Sequence, residues 1–379
     1  MRRMKQTTAV GVLAGMASLA LVVPGSAMAH TNESAGTVKP GKSIQQAIDR
    51  AKPHSVVTVS AGVYNENLLI TKPITVRGIG HVVIEPGATI AQNLCTQDED
   101  GSPETDAPNN VGICILGQFG TPPPDSDVAP VLEPVAHVTI ENLRITGFSG
   151  QGLLAFGTDQ LKVSNVEIDH SADVGLFSES GNKSVFLADR IHDNGSAGIR
   201  VSDSRDITIS RTTSYDNREG MLILDSTGGN IIQTLLTANC AGLAIIDTSD
   251  GVTTGRISVR HNAIVANSRY CAAGEAPSES GVGVGLIGTS AVVVTANLIS
   301  GNVASTDPTT GQAAQLSGAG LLLLDASGLT GGAAPTGNRI TGNLVLRNAP
   351  QDVVTDGSGS GNTFAGNNCG QSTPASICS

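Results

Sequence analysis

Short apolar runs recur along the chain, and in its central part a glycine precedes each run at a nearly constant interval. These glycines lie 23, 23, 22 and 22 residues apart. They are Gly152, Gly175, Gly198, Gly220 and Gly242, followed by aliphatic stretches such as GIRVS and GLAII. A fixed period of this length is typical of repeat architectures. We therefore predict a β solenoid in which each coil contributes three short strands and rises by about 4.8 Å.

A second pattern precedes the glycines, in segments such as VTIENLRI, LKVSNVEI and NRITGNLV. A leucine-rich repeat would show L-x-x-L-x-L in fixed register, and these leucines are missing, so the pattern favours a β-helix. Asn and Asp tolerate a left-handed backbone, and stacked amides can bond from coil to coil. We prefer this structural interpretation to a ladder of metal ligands. The polar residues at or near this corner are Asn142, Asn165, Asp189, Asn297 and Asn343.

One amphipathic helix is predicted ahead of the repeats, over residues 43–51. Ile44 and Ile48 fall on one helical face, and Ser43 and Gln46 have the spacing of a capping box. A short helix in this position would cap the open end of the core. Short strands are expected next, at residues 56–59, 68–70, 74–76 and 82–84.

The segment SIQQAIDRAKPHSVVTVSAGVYNENLLITKPITVRGIG resembles the opening of right-handed parallel β-helix proteins of the pectin-lyase-like superfamily. The repeats are also similar to NosD-type accessory proteins and to carbohydrate-binding and sugar-hydrolase repeats. The resemblance implies an all-β fold, a single-stranded right-handed parallel β-helix of about 10–12 coils. Copper is not favoured as a cofactor, because after residue 29 the chain has one methionine, Met221, and scattered histidines.

Residues 1–29 have the features of a secretory signal peptide. Arg2, Arg3 and Lys5 precede an apolar run, and Ala27-Met28-Ala29 is a small-x-small cleavage site. The domain organisation follows from this boundary. We expect a signal peptide at 1–29, a flexible leader at 30–42, the β-helix at 43–368 and a C-terminal tail at 369–379, with insertion loops near 95–110, 117–136, 268–281 and 303–317. The four insertions are expected to emerge at one corner, where insertions of a solenoid often build a binding face.

Charge limits the partners of the chain. The full sequence has 22 basic and 33 acidic residues, a net charge of -11; without the predicted signal peptide the balance is 19 against 33, or -14. A nucleic-acid partner is therefore not expected, because binding phosphates requires clustered Lys and Arg. No later segment is long and apolar enough to predict a membrane span. We expect a protein that is secreted, either extracellular or in the cell envelope.

Six cysteines form an even set, which in an exported protein indicates disulfides. Proximity along the chain pairs Cys95 with Cys114, Cys240 with Cys271 and Cys369 with Cys378. The alternative, free or metal-binding thiols, is less favoured because no C-x-x-C pair is present.

The strand behind each glycine has an unusually apolar outward face. A half-exposed strand alternates apolar and polar residues, and near-continuous apolar runs indicate that both faces are covered. The outward pairs are Leu154 and Phe156, Phe177 and Glu179, Arg200 and Ser202, Leu222 and Leu224, Ala244 and Ile246, and Leu322 and Leu324. The insertion loops are the favoured cover, and self-association through this face is the other possibility.

Candidate chemistry concentrates in a polar patch just before the glycines. The candidate catalytic residues are Asp173, Asp193, Arg200 and Arg218, and the candidate binding residues are His170, Tyr215, Asp216 and Glu219. Pectate lyases of the resembled superfamily use Ca²⁺ held by acidic residues and an Arg base. Ile168-Asp169-His170 is similar to a tripeptide of those enzymes, although Asn165 occupies the corner where its Asp belongs. A solvated corner of salt bridges is the simpler interpretation of the patch, and no metal ligand set is assigned.

Two further acidic groups are interpreted structurally. Asp203, Asp225, Asp247 and Asp325 each stand five residues after a glycine and precede Ser or Thr, so they are read as Asx-turn residues and not as a calcium column. An acidic stretch, Asp98, Glu99, Asp100, Glu104 and Asp106, lacks EF-hand spacing and is expected to be solvated.

The leading functional hypothesis is a secreted β-helix repeat protein that binds extracellular or cell-envelope polysaccharide. The first alternative is a Ca²⁺-assisted polysaccharide lyase acting on uronates. The second is a structural or protein-interaction scaffold without catalytic activity. Whether the protein is an enzyme stays open at this point.

Overall fold

The structure is a computed structural model that describes residues 34–88, 94–96, 110–120, 130–248, 252–274 and 277–378. The predicted signal peptide and the acidic residues between Asp98 and Asp106 lie outside these ranges. Within them, no helix combines the length and apolar character needed to cross a membrane.

Strands dominate the described chain, with a single α-helix, α1 (Ile44–Arg50), and two 3-10 turns, Leu94–Thr96 and Ala375–Cys378. The strands are β1 (Ser34–Val38), β2 (Val56–Asn65), β3 (Leu68–Ile70), β4 (Thr75–Glu85), β5 (Ile113–Leu116), β6 (Gln118–Phe119), β7 (Val131–Glu133), β8 (Val135–Ala136), β9 (Thr139–Glu141), β10 (Arg144–Thr146), β11 (Leu153–Phe156), β12 (Thr158–Asp159), β13 (Lys162–Ser164), β14 (Glu167–Asp169), β15 (Leu176–Glu179), β16 (Val185–Leu187), β17 (Arg190–His192), β18 (Ile199–Ser202), β19 (Arg205–Ser210), β20 (Thr213–Tyr215), β21 (Glu219–Leu224), β22 (Thr227–Ile232), β23 (Leu235–Thr237), β24 (Ala241–Ile246), β25 (Gly255–Arg260), β26 (Ala263–Val265), β27 (Tyr270–Cys271), β28 (Glu279–Ile287), β29 (Val293–Thr295), β30 (Leu298–Ser300), β31 (Leu316–Leu324), β32 (Arg339–Thr341), β33 (Leu344–Leu346), β34 (Gln351–Thr355), β35 (Thr363–Ala365), β36 (Asn368–Cys369) and β37 (Ser372–Thr373).

Three stacks of parallel strands run along the solenoid, one strand of each stack per coil. The first stack continues from β4 through β9, β13 and β16 to β35, and the second from β4 through β10, β14 and β17 to β36. The third, here called the glycine stack, contains β3, β5, β11, β15, β18, β21, β24, β28, β31, β34 and β37. Eleven strands in the glycine stack confirm the predicted parallel β-helix of about 10–12 coils.

The core is one continuous apolar cluster inside the coils. The recurring glycines face this core, where the neighbouring atoms leave no room for a Cβ atom. A Cβ at Gly175 would lie 2.6 Å from Ile191 Cγ2, and one at Gly198 would lie 2.2 Å from Ser214 Oγ. Real Cβ atoms do not come this close to other atoms. A glycine is therefore required in each coil where the glycine stack packs against the second stack.

The predicted helical cap is present at the N-terminal end. The side chain of Ser43 accepts a hydrogen bond from the backbone N–H of Gln46 at 3.1 Å. The other half of the cap comes from Glu66, whose carboxylate accepts from Ser43 Oγ at 2.6 Å and from the Ile44 N–H at 2.8 Å. Glu66, a residue of the first coil, therefore adds a second cap for the first N–H groups of α1.

Two segment boundaries differ from the prediction. Residues 34–38, expected in a flexible leader, form β1 and pair in parallel with β2. Residues 368–373, expected to end the repeats and begin a tail, form β36 and β37, which pair with β33 and β34. Both differences arise because a terminal strand satisfies backbone groups that an open solenoid edge would leave unpaired.

The three disulfides are those predicted, Cys95–Cys114, Cys240–Cys271 and Cys369–Cys378, with Cα–Cα distances of 6.1, 5.9 and 5.1 Å. The second one ties the 268–281 insertion to a preceding coil. In this insertion β27 pairs antiparallel with β28.

The insertions do not all emerge at one corner, contrary to the expectation. Insertions 268–281 and 303–317 precede the glycine-stack strands β28 and β31. Insertion 117–136 instead follows a glycine-stack strand, β5, and therefore leaves from the opposite end of that stack; its described part includes the antiparallel pair β6 and β7.

The apolar outward face of the glycine stack is partly covered by insertions. Phe119, from the 117–136 insertion, places its ring 4.2 Å from the ring of Phe156. Cys95 and Val111 are buried against Cys114, with Leu154 packed on the same cluster. The cover by insertion loops is thus present at the first coils, while self-association through this face stays a prediction. The outward leucines of the second stack are exposed: the exposed fraction is 37% for Leu235, 41% for Leu298 and 39% for Leu344.

Stacked amides line two corners of the solenoid. At the corner between the first and second stacks, Asn297 Nδ2 donates to Asn343 Oδ1 at 2.9 Å. Asn142 and Asn165 stand one position earlier and adopt the left-handed backbone, with φ of 58° and 53°. A second, fully buried ladder lies at the next corner and contains Asn194, Asn217, Asn239, Asn267, Asn302 and Asn348.

Asp189 occupies the same corner as the first ladder, with Thr212 and Thr234 between it and the first amide, Asn262. One carboxylate oxygen accepts from the Val166 N–H at 3.0 Å, whereas the other has no hydrogen-bond partner. Burial raises the pKa of Asp189 to about 7. An acid thus occupies a position that later coils fill with a neutral amide.

Candidate functional site

Twelve positions on four consecutive coils form a surface that we call the polar grid. Parallel register aligns the outward positions of β10, β14, β17 and β20, while the middle positions of these strands, such as Ile168 and Ile191, point into the core. The turn residue after each strand adds a third column with positive φ. The columns are Arg144, Glu167, Arg190 and Thr213; Thr146, Asp169, His192 and Tyr215; and Gly147, His170, Asp193 and Asp216.

Asp169 is the most buried ionisable group of the grid. Arg144 donates to both of its oxygens, from Nε at 2.7 Å and from Nη2 at 2.6 Å, and Thr146 Oγ1 adds a bond of 3.1 Å. Burial opposes ionisation of the carboxyl, but the hydrogen bonds from Arg144 and His170 outweigh it and hold the pKa of Asp169 below its ordinary value. Asp169 is therefore a fixed negative charge.

Asp169 also orients an exposed imidazole. His170 Nδ1 lies 2.5 Å from Asp169 Oδ2, and the His170 side chain is 63% exposed. The ring is thus held at Nδ1 and is largely open to solvent. A carboxylate that fixes an imidazole in this way is the arrangement found in general acid–base pairs, where it sets the tautomer and stabilises the protonated ring.

A second histidine is enclosed beside the first. His192 is buried between two carboxylates, with Nε2 at 3.0 Å from Glu167 Oε1 and Nδ1 at 2.7 Å from Asp193 Oδ2. Its ring stacks on that of Tyr215, with centroids 4.6 Å apart and planes at 9°. Arg190 lies 5.3 Å from the Tyr215 centroid and donates to the phenol oxygen. The outer part of the grid is therefore held by side-chain contacts, and it presents a guanidinium and carboxylates to the solvent.

The lyase alternative requires calcium, and three residues of the grid come near one another as metal ligands would. Glu167, Asp169 and His192 bring ligand atoms within 4.8 Å of one another. Calcium takes six to eight oxygen ligands. Both Asp169 oxygens already accept from Arg144, and the third group is an imidazole. The residues do not fit a calcium centre, so no step through the ion is derived.

Four of the eight predicted site residues belong to the grid. His170, Asp193 and Asp216 occupy one turn column on successive coils, and Tyr215 adjoins them. The Asp216 carboxylate lies 3.8 Å from Arg269 of the 268–281 insertion. Stacking brings these four residues together, while their role in binding or catalysis stays a prediction.

Two predicted catalytic residues lie elsewhere. Asp173 is in the following turn, where Gln151 Nε2 donates to its carboxylate at 2.6 Å. Arg200 lies on the outward face of the glycine stack, where its guanidinium sits 4.7 Å from the Phe177 ring centroid and its Nε is 3.3 Å from Ser202 Oγ. Neither residue points at the groups assembled around Asp169.

Arg218 and Glu219 form a separate buried cluster with Glu279. Arg218 donates to the carbonyls of Ala272 and Pro277 at 2.7 and 2.6 Å, and its Nε lies 3.2 Å from Glu279. Burial and the neighbouring Glu219 carboxylate raise the pKa of Glu279 to about 9. This cluster fastens the 268–281 insertion, and Arg218 is not placed to act as a base on a bound polymer.

The aspartates that follow the glycines make backbone contacts, as turn residues do. Asp225 accepts from the Thr248 N–H at 2.8 Å, and Asp247 accepts from the Thr254 N–H at 2.9 Å. Asp325 accepts from the Ser327 N–H at 2.8 Å, which is an Asx turn. Of these three contacts only that of Asp325 is the predicted Asx turn, because Asp225 and Asp247 bond N–H groups 23 and 7 residues further along the chain.

Arg144, Glu167, Arg190 and His192 were not predicted as site residues, and Asp169 was noted only within the tripeptide resemblance and not assigned to the site. Their signal is an exact coil offset: positions 146, 169, 192 and 215 follow one another by 23 residues, as do 144, 167, 190 and 213. Aligning the coils strand by strand, in addition to glycine by glycine, would have exposed both columns.

Comparison with known proteins identifies the fold. Residues 125–264 match the family model described as "Right handed beta helix region". No curated protein sequence matches the chain. The chain therefore has a right-handed parallel β-helix fold, as the sequence predicted.

Several solved structures share this fold. The A-module of the mannuronan C-5 epimerase AlgE4 from Azotobacter vinelandii is 16% identical, over 86% of this chain and 89% of that one, with a TM-score of 0.53. A DFA-IIIase from Arthrobacter chlorophenolicus A6, without its lid, is 12% identical over 85% and 86%, with a TM-score of 0.51. A variant of the periplasmic alginate epimerase AlgG is 12% identical over 88% and 84%, with a TM-score of 0.50. At such identities the likeness concerns the fold alone.

Proposed function

We propose that this protein binds a polysaccharide outside the cytoplasm, and that the polar grid is its binding surface. The observation that carries the proposal is the register that places Arg190, His170 and Asp193 on neighbouring coils with their charged groups exposed. Guanidinium, imidazole and carboxylate groups can each bond two sugar hydroxyls. A linear glycan lying along the solenoid axis would meet a new row of such groups about every 4.8 Å.

Two lines of support come from outside the grid. The structural neighbours include enzymes whose names place them on mannuronan and alginate, which are polysaccharides. Three disulfides in a chain that begins with a signal-like segment favour an oxidising compartment, either extracellular or periplasmic.

Binding should be tested by titrating the purified protein against a panel of immobilised polysaccharides. The variants Arg190→Ala and Asp193→Ala should weaken binding by about tenfold each, the loss of one charged hydrogen bond. Thr237→Ala, at an outward position of the same stack beyond the grid, is the matched control and should leave binding unchanged. Equal affinity of all four proteins would remove the grid from the binding surface.

One observation favours a second candidate, a proton-transfer reaction on a uronate polymer. The Asp169–His170 pair, fixed by Arg144, presents an imidazole nitrogen to solvent. A neutral His170 could remove the proton next to a uronate carboxylate, and Asp169 would stabilise the resulting imidazolium. The two candidate arginines, Arg200 and Arg218, do not lie at this point, so His170 replaces an arginine as the candidate base.

The catalytic candidate has a direct test. Uronate polymers would be incubated with the protein, following unsaturated products by absorbance and altered sugar stereochemistry by NMR. Activity that His170→Ala abolishes would support the acid–base reaction. Turnover retained in His170→Ala would overturn it, and binding without turnover would leave polysaccharide binding as the function.

A further inference from the structure

A separate cavity of about 390 Å³ lies at the N-terminal end of the solenoid, between β1 and one face of α1. This volume falls in the range of small-molecule binding pockets. Ser43, Gln46 and Arg50 line it from the helix and its cap, at the spacing of one helical face. The cavity shares no residue with the polar grid, so its argument does not rest on the proposed function.

The cavity is basic in an acidic protein. Lys42, Arg50 and Lys52 line it, and none of the described lining residues is acidic. The whole chain has a net charge of -11, so three cations around one cavity run against its general composition. A concave site lined by one sign of charge focuses the field on a ligand of opposite sign.

The acidic residues of the cap are engaged in other contacts. Glu66 accepts from Ser43 Oγ and from the N–H groups of Ile44 and Gln45, which fill the start of α1. Asp49 accepts from the Gln45 side chain at 2.8 Å. Both carboxylates therefore already have hydrogen-bond donors within the cap, and neither residue lines the cavity.

The remaining lining residues indicate what kind of molecule would carry the negatively charged group that the cavity attracts. Val38, Ala47 and Ala51 give an apolar floor, and Gln46 and Ser55 add an amide and a hydroxyl. A sugar ring has an apolar face and hydroxyl groups at its edge, and an acidic sugar adds a carboxylate, sulfate or phosphate ester. We propose that this cavity binds one acidic sugar unit, with Lys42 and Arg50 contacting the anionic group.

The probes are galacturonate, neutral galactose and polygalacturonate, titrated calorimetrically against the full chain. Galacturonate or its polymer should bind and galactose should not, with affinity falling as salt increases. The double variant Lys42→Ala/Arg50→Ala should weaken binding at least tenfold, and both side chains are exposed, so its thermal unfolding should match that of the wild type. Lys162→Ala, an exposed lysine on β13, is the control of matched chemistry and should bind normally.

The outcomes separate this site from the grid. Binding of galacturonate would show that a single acidic unit suffices. If only polygalacturonate binds, and the double variant loses this binding, the cavity binds an acidic unit that belongs to a polymer. If neither acidic probe binds, or if the double variant binds as well as the wild type, the cavity proposal is wrong. Polymer binding that is lost in Arg190→Ala and kept in the double variant would locate the ligand on the polar grid and likewise overturn the cavity.

Discussion

Arg144 donates two hydrogen bonds to the Asp169 carboxylate, from Nε at 2.7 Å and from Nη2 at 2.6 Å, and the two residues lie one coil apart. The carboxylate has 0% side-chain exposure, so this pair fixes both the charge of the polar grid and the position of His170. Nothing in a single coil reveals this pairing, because only the stacking of β10 on β14 creates it.

Replacing Arg144 by Met should destabilise the protein by about 2–3 kcal/mol near neutral pH, since the buried Asp169 carboxylate loses its main partner. The folded pKa of Asp169 is depressed, so the stabilisation exists above its unfolded pKa near 4 and is lost as pH falls through the lower folded value. Urea unfolding of both proteins at several pH values measures the difference. A gap that persists unchanged in strong acid would contradict this account of the pair.

Asp189→Asn should stabilise the protein at pH 8, by an upper bound of about 4 kcal/mol. The folded pKa of Asp189 is raised to about 7, so the wild type loses stability between about pH 4 and pH 7 as the buried group resists ionisation. The variant should lack that slope and match the wild type below pH 4. Asn297→Asp, which puts an acid into the same ladder, is the reciprocal control and should introduce such a slope. Parallel pH profiles for wild type and Asp189→Asn would refute the prediction.

Gly198→Ala should cost about 1–3 kcal/mol or more, because its Cβ would meet Ser214 Oγ at 2.2 Å and the Gly220 carbonyl oxygen at 2.9 Å. Gly274→Ala is the control, since its Cβ would have no atom within 4 Å. Thermal unfolding should separate the two variants clearly. Equal melting temperatures would mean that the glycine repeat has a reason other than close packing.

Arg218→Met should loosen the 268–281 insertion, because two backbone carbonyls lose their donor and the Glu219–Glu279 pair loses its cation. Hydrogen exchange should rise about tenfold or more in this insertion and stay unchanged in the distant cap helix α1. Arg269→Ala, which removes only an exposed contact of 3.8 Å, should have little effect. Unaltered exchange in Arg218→Met would show that the disulfide alone holds the insertion.

The fold was predictable because its constraints are local and periodic. Gly175 and Gly198 recur since neither tolerates a Cβ, and Ile44 and Ile48 mark the cap helix through their spacing. The three disulfides followed from sequence proximity. Residues 34–38 were misassigned because five residues carry no period, and only their pairing with β2 makes them a strand.

The site was predictable only in part. His170, Asp193 and Asp216 stood out as polar residues at equivalent turns, and the structure stacks them. Arg200 and Arg218 were grouped with them because the coil to which a residue belongs fixes its position along the solenoid axis. It does not fix the face of the solenoid on which the side chain lies. Arg200 points out of the glycine stack, and Arg218 turns toward the insertion at Ala272. His192 was not predicted because one of its two carboxylate partners, Glu167, lies on the preceding coil, and only Asp193 is its neighbour in sequence.

The measurement that tests the central claim most directly is the affinity of wild type, Arg190→Ala and Thr237→Ala for one polysaccharide identified on a glycan panel. Polysaccharide binding by the polar grid predicts a roughly tenfold loss for Arg190→Ala and none for Thr237→Ala, with both variants folded like the wild type. No binding to any polysaccharide by the wild type, or identical affinities for the three proteins, would contradict it.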